Sequence, residues 1–483
     1  MVRIRSSNTR FKTLFGVVDM TEGKPMKKLM MFSIPLLIGN FAQQMYNTVD
    51  AIVVGQKLGD NALSAVGTSI PIINLMLVLF MGISAGAGIL SAQYFGAKDK
   101  ETLSKVVGTT ITLTVASSLI VMVVGYFLSP LLIGLMTPGE NSGETYTVFI
   151  EEIGPDATRY LQIIFLGILG GGAYNILGGV LRGIGDSVSP LIYLVIASVL
   201  NVILDILFIN WMNNVSAVAW ATIIAQFVSG GLCLWRLLHM KELITINAQT
   251  LKPDKTLSKK LAGLGLPSSI TTGLFSMSAM MVQSLTNSLG AAVIAANVAI
   301  MRVDGFAMMP NFTYGTSATT YVGQNLGAGR MDRIRPGVRD VLKLALITAG
   351  ILVAAILLFG HNLIRLFTET DTTIEIGVNG LRWLAAGYIA FAVTSCLHGA
   401  MRGLGETKIP MWISIISTII IRMPLAYLMA SLTKSAEWPN GSPVAIYGSL
   451  LISWLMSMGM TIFIYMKGKW RKHAFGLDTP TQN

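Results

Sequence analysis

Leu181-Arg182-Gly183-Ile184-Gly185-Asp186 returns 220 residues later as Met401-Arg402-Gly403-Leu404-Gly405-Glu406. Pro190 and Pro410 keep the same spacing. A second pair, Gln93-Tyr94-Phe95-Gly96-Ala97 and Gln324-Asn325-Leu326-Gly327-Ala328, is separated by 231 residues, as are Leu58-Gly59 and Leu289-Gly290. The chain therefore reads as two similar halves. In an apolar chain, duplication points to a transporter whose path lies between the halves.

Composition sets the class. Of 483 residues, 53% are hydrophobic and 12% charged, and mean hydropathy is positive. Runs of roughly 20 apolar residues suit a bilayer crossing. Twelve such runs are expected, starting near Leu29, Ser69, Lys105, Arg159, Pro190, Ala217, Pro267, Val293, Val341, Val378, Pro410 and Ala445. Six fall in each half. The expectation is an all-α integral membrane protein of twelve transmembrane helices in two pseudo-symmetric six-helix lobes, because backbone groups in lipid must bond within the helix. Its parts are an N-terminal segment (1–28), an N-lobe (29–240), a basic linker (241–261), a C-lobe (262–468) and a tail (469–483).

The net charge of +11 could suggest nucleic acid as a partner, but the placement of the charges argues otherwise. Lys and Arg cluster at the ends and in every second loop: Arg3–Lys28, Lys98–Lys105, Arg236–Lys260, Arg330–Arg339, Arg402–Lys408 and Lys467–Lys472. The intervening stretches Glu140–Asp156 and Glu369–Glu375 are acidic. This is the positive-inside pattern, which places both termini and the linker in the cytoplasm of a plasma-membrane protein. Membrane lipids are the expected partners of the basic loops, and nucleic acid is not. The polar, basic first segment has no cleavable leader pattern. Cys233 and Cys396 lie in apolar runs without metal-ligand spacing and read as packing residues.

The charges inside the spans carry the chemistry. They are Asp50, Asp205, Arg302, Asp304 and Arg422. An Asp at a helix centre costs roughly 2.5–3.5 kcal/mol to insert, so it needs partners, water, an ion or a proton. Gln43, Asn47 and Asp50 share one helix face, as do Asn201 and Asp205. Two Asp residues on different helices with amide neighbours suit a proton or sodium site; the other reading is a structural hydrogen-bond network. Pro35, near the start of the first span, favours a bend. Met277, Met281 and other methionines suit an adaptable apolar pocket or serve as plain filler. Tyr46 and Tyr314 could meet an aromatic cation.

The chain resembles the multidrug and toxic compound extrusion (MATE) family, from about Gly23 to Lys472. The resemblance is carried by Pro35 through Asp50 with the following Val54–Gly59, by the Gln93–Ala97 and Gln324–Ala328 repeats, and by the two Arg-Gly-x-Gly-acid turns. It is most similar to the bacterial and archaeal, DinF-like branch, with an acid on both the first and fifth helices. That resemblance implies a cation site in the N-lobe. Asp50 matches the first-helix acid, Gln43 its polar neighbour, Asn175 the fourth-helix Asn, Asn201 and Asp205 the Asn-x-x-x-Asp pair, and Thr222 a hydroxyl ligand. Pro35 matches the bend of the first helix.

The chain departs from another branch, which carries an acid in the middle of the seventh helix. Here that helix has Phe275, Ser276 and Met277, with Gln283 and Asn287 its nearest polar residues. The C-lobe instead has Arg302, Asp304, His398 and Arg422, read either as a structural ion pair, for example Asp304 with Arg422, or as substrate or gate contacts.

No phosphate-cradling loop is present in the sequence, so transport has to draw on an ion gradient. The expected function is proton- or sodium-coupled efflux of drugs or toxins by alternating access of a monomer, with no cofactor and no metal beyond sodium. The alternatives are a lipid or oligosaccharide flippase of the same superfamily, and a lipid-acting membrane enzyme. The second is disfavoured because His239, His361, His398 and His473 are scattered.

Overall fold

A computed structural model describes residues 16–137, 144–436 and 438–468. The tail 469–483, the first fifteen residues of the N-terminal segment and part of the acidic loop 140–156 lie outside the described residues. Among the described residues every element is helical. Fourteen helices matter here: α1 Pro25–Leu58, α2 Asp60–Gly96, α3 Lys100–Gly134, α4 Gly154–Leu166, α5 Ile168–Gly183, α6 Val188–Met212, α7 Val215–His239, α8 Lys255–Ser288, α9 Ala291–Gly327, α10 Met331–Arg365, α11 Asp371–Gly403, α12 Lys408–Ile415, α13 Met423–Leu432 and α14 Val444–Lys467. A π-helical stretch, Ile416–Arg422, joins α12 to α13.

Among the described residues nine helices are long and apolar enough to cross a membrane, and the stretch Tyr146–Leu166 with α5, bent by 52°, makes a tenth when the bent pair is counted as one span. α1 and α8 are equally long but more polar, because they carry the Gln/Asn/Asp and Ser/Thr residues of their faces. Counting them, the spans among the described residues number twelve.

By internal contacts the chain forms two units. One comprises Met1–Asp19 and Ile34–Leu266, the other Met20–Ser33 and Pro267–Asn483. α1 is continuous through Pro35, yet the division between the units falls between Ser33 and Ile34.

Both sequence repeats turn out to be helix terminators. At the end of α5 the Asp186 N–H donates to the Leu181 carbonyl (2.8 Å) and the Gly185 N–H to that of Arg182 (3.1 Å). At the end of α11 Glu406 bonds to Met401 (2.9 Å) and Gly405 to Arg402 (2.8 Å) in the same way. Gly185 and Gly405 have φ of 94° and 87°, the left-handed conformation this cap requires. The acid that follows then caps the next helix. Asp186 accepts from the Ser189 N–H (2.9 Å), and Glu406 accepts from the N–H of Lys408 (3.0 Å) and Ile409 (3.1 Å). The Gln93–Ala97 and Gln324–Ala328 repeats end α2 and α9 with the same pattern, through Asp99 to Tyr94 and Arg330 to Asn325.

Close helix crossings repeat too. In the first unit Gly179 and Gly183 of α5 lie against the backbone of Ser84 and Gly88 on α2. In the second, Gly399 and Gly403 of α11 lie against Gly315 and Thr319 on α9. A Cβ at any of these four glycines would run into a facing carbonyl, so small residues set the interhelical distance. Around these crossings the cores fill with aliphatic side chains. Cys233 packs with Leu103, Val106, Leu177 and Leu237, and both cysteines are buried free thiols.

Candidate functional site

The site in the first unit is assembled by α1, α4, α6 and α7. Asp205 of α6 is fully buried, and so is Asn201 one turn before it. With the Asn201 amide oriented to satisfy both of its ends, its NH2 donates to Asp205 Oδ2 (2.9 Å) and its carbonyl accepts from the Thr222 backbone N–H (3.2 Å). This bond ties α6 to α7 and fixes the carboxylate. The Asp50 carboxyl group of α1 faces that of Asp205 at hydrogen-bonding range. Tyr46, one turn before Asp50, is directed at the two acids and at Thr222.

Three oxygens in this cluster are buried without a partner: Asp50 Oδ1, Asp205 Oδ1 and Thr222 Oγ1. Two facing carboxylates cannot both stay charged without a cation or a proton between them. Orphaned acceptors around them supply the oxygens such a cation would use. The donor set is hard and oxygen-based, which fits a proton or sodium. Among the described residues no cluster of three or more His, Cys, Asp or Glu could hold a metal ion.

Tyr160 of α4 also faces Asp50, Asp205 and Tyr46, and sequence reasoning missed it. It is buried, 5% exposed. The only signal available was a phenol within an apolar run, which is commonplace in membrane helices. Other expected members are turned elsewhere. Gln43 donates to Asn47 (3.5 Å) on the same helix face, and Asn175 donates to the Gly171 carbonyl of its own helix (2.9 Å).

In the second unit the expected residues do not converge on one point. Arg302 is exposed. Tyr314 is bonded to Thr348 (2.9 Å) and His398 to Thr461 (3.0 Å). Gln283 donates to Asn287 (2.8 Å). Met277 and Met281 are exposed. Asp304 and Arg422 face each other electrostatically, but the four ion pairs among the described residues do not include them. Arg422 Nη1 instead donates to Ser278 Oγ (3.0 Å).

A duplicated bundle of spanning helices that holds two facing carboxyl groups, each with one unpartnered oxygen, has the make-up of a membrane transporter. The MatE family model matches residues 35–207 and 267–428, and the chain belongs to that family. It is 28% identical to the probable multidrug resistance protein YpnP of Bacillus subtilis, over 94% of this chain and 97% of that one. It is 26% identical to the probable multidrug resistance protein NorM of Thermotoga maritima, over 93% and 94%. A MOP superfamily transporter from Pyrococcus furiosus shares the fold with a TM-score of 0.83 at 23% identity, over 95% of this chain and 98% of that one.

Proposed function

We propose that this protein is a secondary active multidrug efflux transporter of the plasma membrane. It exports amphipathic, often cationic, organic compounds in exchange for protons or sodium ions, by alternating access. Both termini face the cytoplasm, and the functional unit is the monomer. The observation that carries this reading is the Asp50–Asp205 pair with its unpartnered oxygens. The names of the curated relatives support the substrate class.

In this mechanism the cation enters from outside and neutralises the facing carboxylates. Their mutual repulsion and their hold on Tyr46 and Thr222 then change. α1 carries that change, because its first turns belong to the second unit and the remainder to the first. Pro35 lacks an N–H and lies two residues past the division, so α1 has its weakest backbone bonding where it would have to bend. Release of substrate outward precedes release of the ion inward. One charge moving down a membrane potential yields about 2.3 kcal/mol per 100 mV.

The test is ethidium uptake into everted vesicles under separately imposed proton and sodium gradients. Uptake driven by one of them is expected to vanish in Asp50→Asn and Asp205→Asn while both variants remain folded. Full transport in either variant would sink the assignment.

A further inference from the structure

In the first unit, the linker that follows α7 is pinned along α3. The Thr245 N–H donates to Ser104 Oγ (2.9 Å), and Lys100 Nζ donates to the Lys241 carbonyl (2.8 Å). Further along α3, Thr112 Oγ1 donates to the Leu251 carbonyl (2.6 Å), and Gly108 faces the Thr250 carbonyl with no room for a Cβ. Linker and helix are thus held together over about three turns. Between them lies a cleft of about 470 Å³, lined by the first two turns of α3 and by the linker from Thr245 to Thr250.

The cleft offers more donors than acceptors. Lys100 and Lys105 are both exposed. Each ammonium carries three N–H groups and spends one, on the Lys241 carbonyl and on Glu101 (2.7 Å) respectively. Asn247 Oδ1 accepts from the N–H groups of Gln249 and Thr250, which leaves the Asn247 NH2 as the end without a partner. Glu101 is the carboxylate of the lining. Asp99 and Asp254 also act on Lys105, but they accept from the N–H groups of Thr102 and Leu257. Two ammoniums and one carboxylate leave the lining with one net positive charge. The Lys105–Glu101 contact is an exposed pair one turn apart, which a phosphate can displace at small cost.

Depth selects the ligand. α3 has 35 residues. At a rise of about 1.5 Å per residue it is about 52 Å long, against about 40–45 Å for a bilayer with its headgroup layers. A bilayer centred on α3 therefore has one headgroup layer at Lys105. The helix face that carries Lys105 continues through Leu119, Ile120, Val123 and Phe127, all of them exposed. Apolar surface thus leads from the cleft through the depth of a leaflet. A soluble anion would use only the lysines, whereas a lipid uses the lysines and this face together.

We propose that the cleft is a binding site for an anionic phospholipid whose phosphodiester carries an uncharged polyol. The phosphate lies on Lys100 and Lys105 and displaces Glu101, the polyol lies on Asn247 and Gln249, and the acyl chains follow the exposed face of α3. This assignment does not depend on the efflux reading.

The test is native mass spectrometry of delipidated full-length protein in detergent. The probes are phosphatidylglycerol, phosphatidylethanolamine with the same acyl chains, and glycerol 3-phosphate as a headgroup without chains. The wild type is expected to take up one phosphatidylglycerol about tenfold more tightly than phosphatidylethanolamine, and glycerol 3-phosphate far more weakly than either. Lys100→Gln and Lys105→Gln should each weaken phosphatidylglycerol about fivefold, the worth of one basic residue at an anionic surface. Glu101→Gln should tighten it about twofold, since the phosphate no longer competes with a carboxylate. An unchanged melting temperature shows that a variant is folded, and if a lysine variant fails that check the Glu101→Gln gain decides. Equal binding of the two lipids by the wild type overturns the proposal, as does a preference for phosphatidylethanolamine. Lysine variants that are folded and bind as the wild type does, or Glu101→Gln without a gain, also overturn it. Glycerol 3-phosphate bound as tightly as the lipid would make this a site for free anions and remove the lipid.

Discussion

Asp205 is the residue on which the first unit's site turns. It is wholly buried, its Oδ2 is held by Asn201, and its Oδ1 has no hydrogen-bond partner. Both acids were legible in the sequence, because an ionisable residue in an apolar run has a cost that needs a reason. Tyr160 was not legible, since its helix is distant in sequence and a tyrosine in a membrane span needs no special reason. Its electrostatic coupling to the pair makes a prediction. Tyr160→Phe keeps the ring packing and removes the hydroxyl, at a cost of about 1–3 kcal/mol to whichever state uses it. Ion-driven ethidium uptake is expected to fall roughly tenfold with normal yield of folded protein. Unchanged uptake would show that the phenol takes no part.

At the scale of elements, the two sequence repeats were visible as repeats, but their role as helix terminators was not. That role depends on φ, and the four copies differ in how well their residues suit it. Gly329 takes the left-handed position at φ 66° in one copy, and Lys98 takes the equivalent position at φ 56° in the other. A side chain there costs about 1 kcal/mol relative to glycine. Lys98→Gly should therefore raise the thermal midpoint, and Gly329→Lys should lower it by a similar margin. The helix crossings make a stronger prediction. Gly399 meets the Gly315 carbonyl with no room for a Cβ, and backbone cannot yield as a side chain can. Gly399→Val should destabilise by about 1–3 kcal/mol, seen as a lower melting temperature in detergent. A neutral result would mean that α9 and α11 can separate freely.

For the whole molecule, topology is the property that the charge pattern predicts most directly. A fluorescent reporter that matures only in the cytoplasm, fused at the C-terminus, is expected to be bright, and a periplasmic phosphatase reporter at the same point to be inactive. The reverse result would invert the exchange direction proposed above. The division of α1 between two units also predicts that Pro35→Ala impairs transport more than it impairs folding. It restores a backbone N–H at the one place where the helix belongs to both units. Transport equal to wild type in that variant would remove the first helix from the coupling path.

Duplication, helical class, spans and buried acids could all be read from residue order, because each depends on local composition or on spacing along the chain. Hydropathy is a property of a run, and an i, i+4 face is a property of one helix. The convergence of Asp50, Tyr160, Asp205 and Thr222 on one point is different in kind. It depends on how four helices pack, and that is set by glycine contacts and core filling which no single run encodes. The same holds for Arg422. The sequence marked it as a buried charge that needed a partner. Only the packing of α8, α9 and the π-helical turn decided that it bonds Ser278 and closes no ion pair with Asp304, because hydrogen-bond geometry is fixed by where the backbones stand and not by which charges are present.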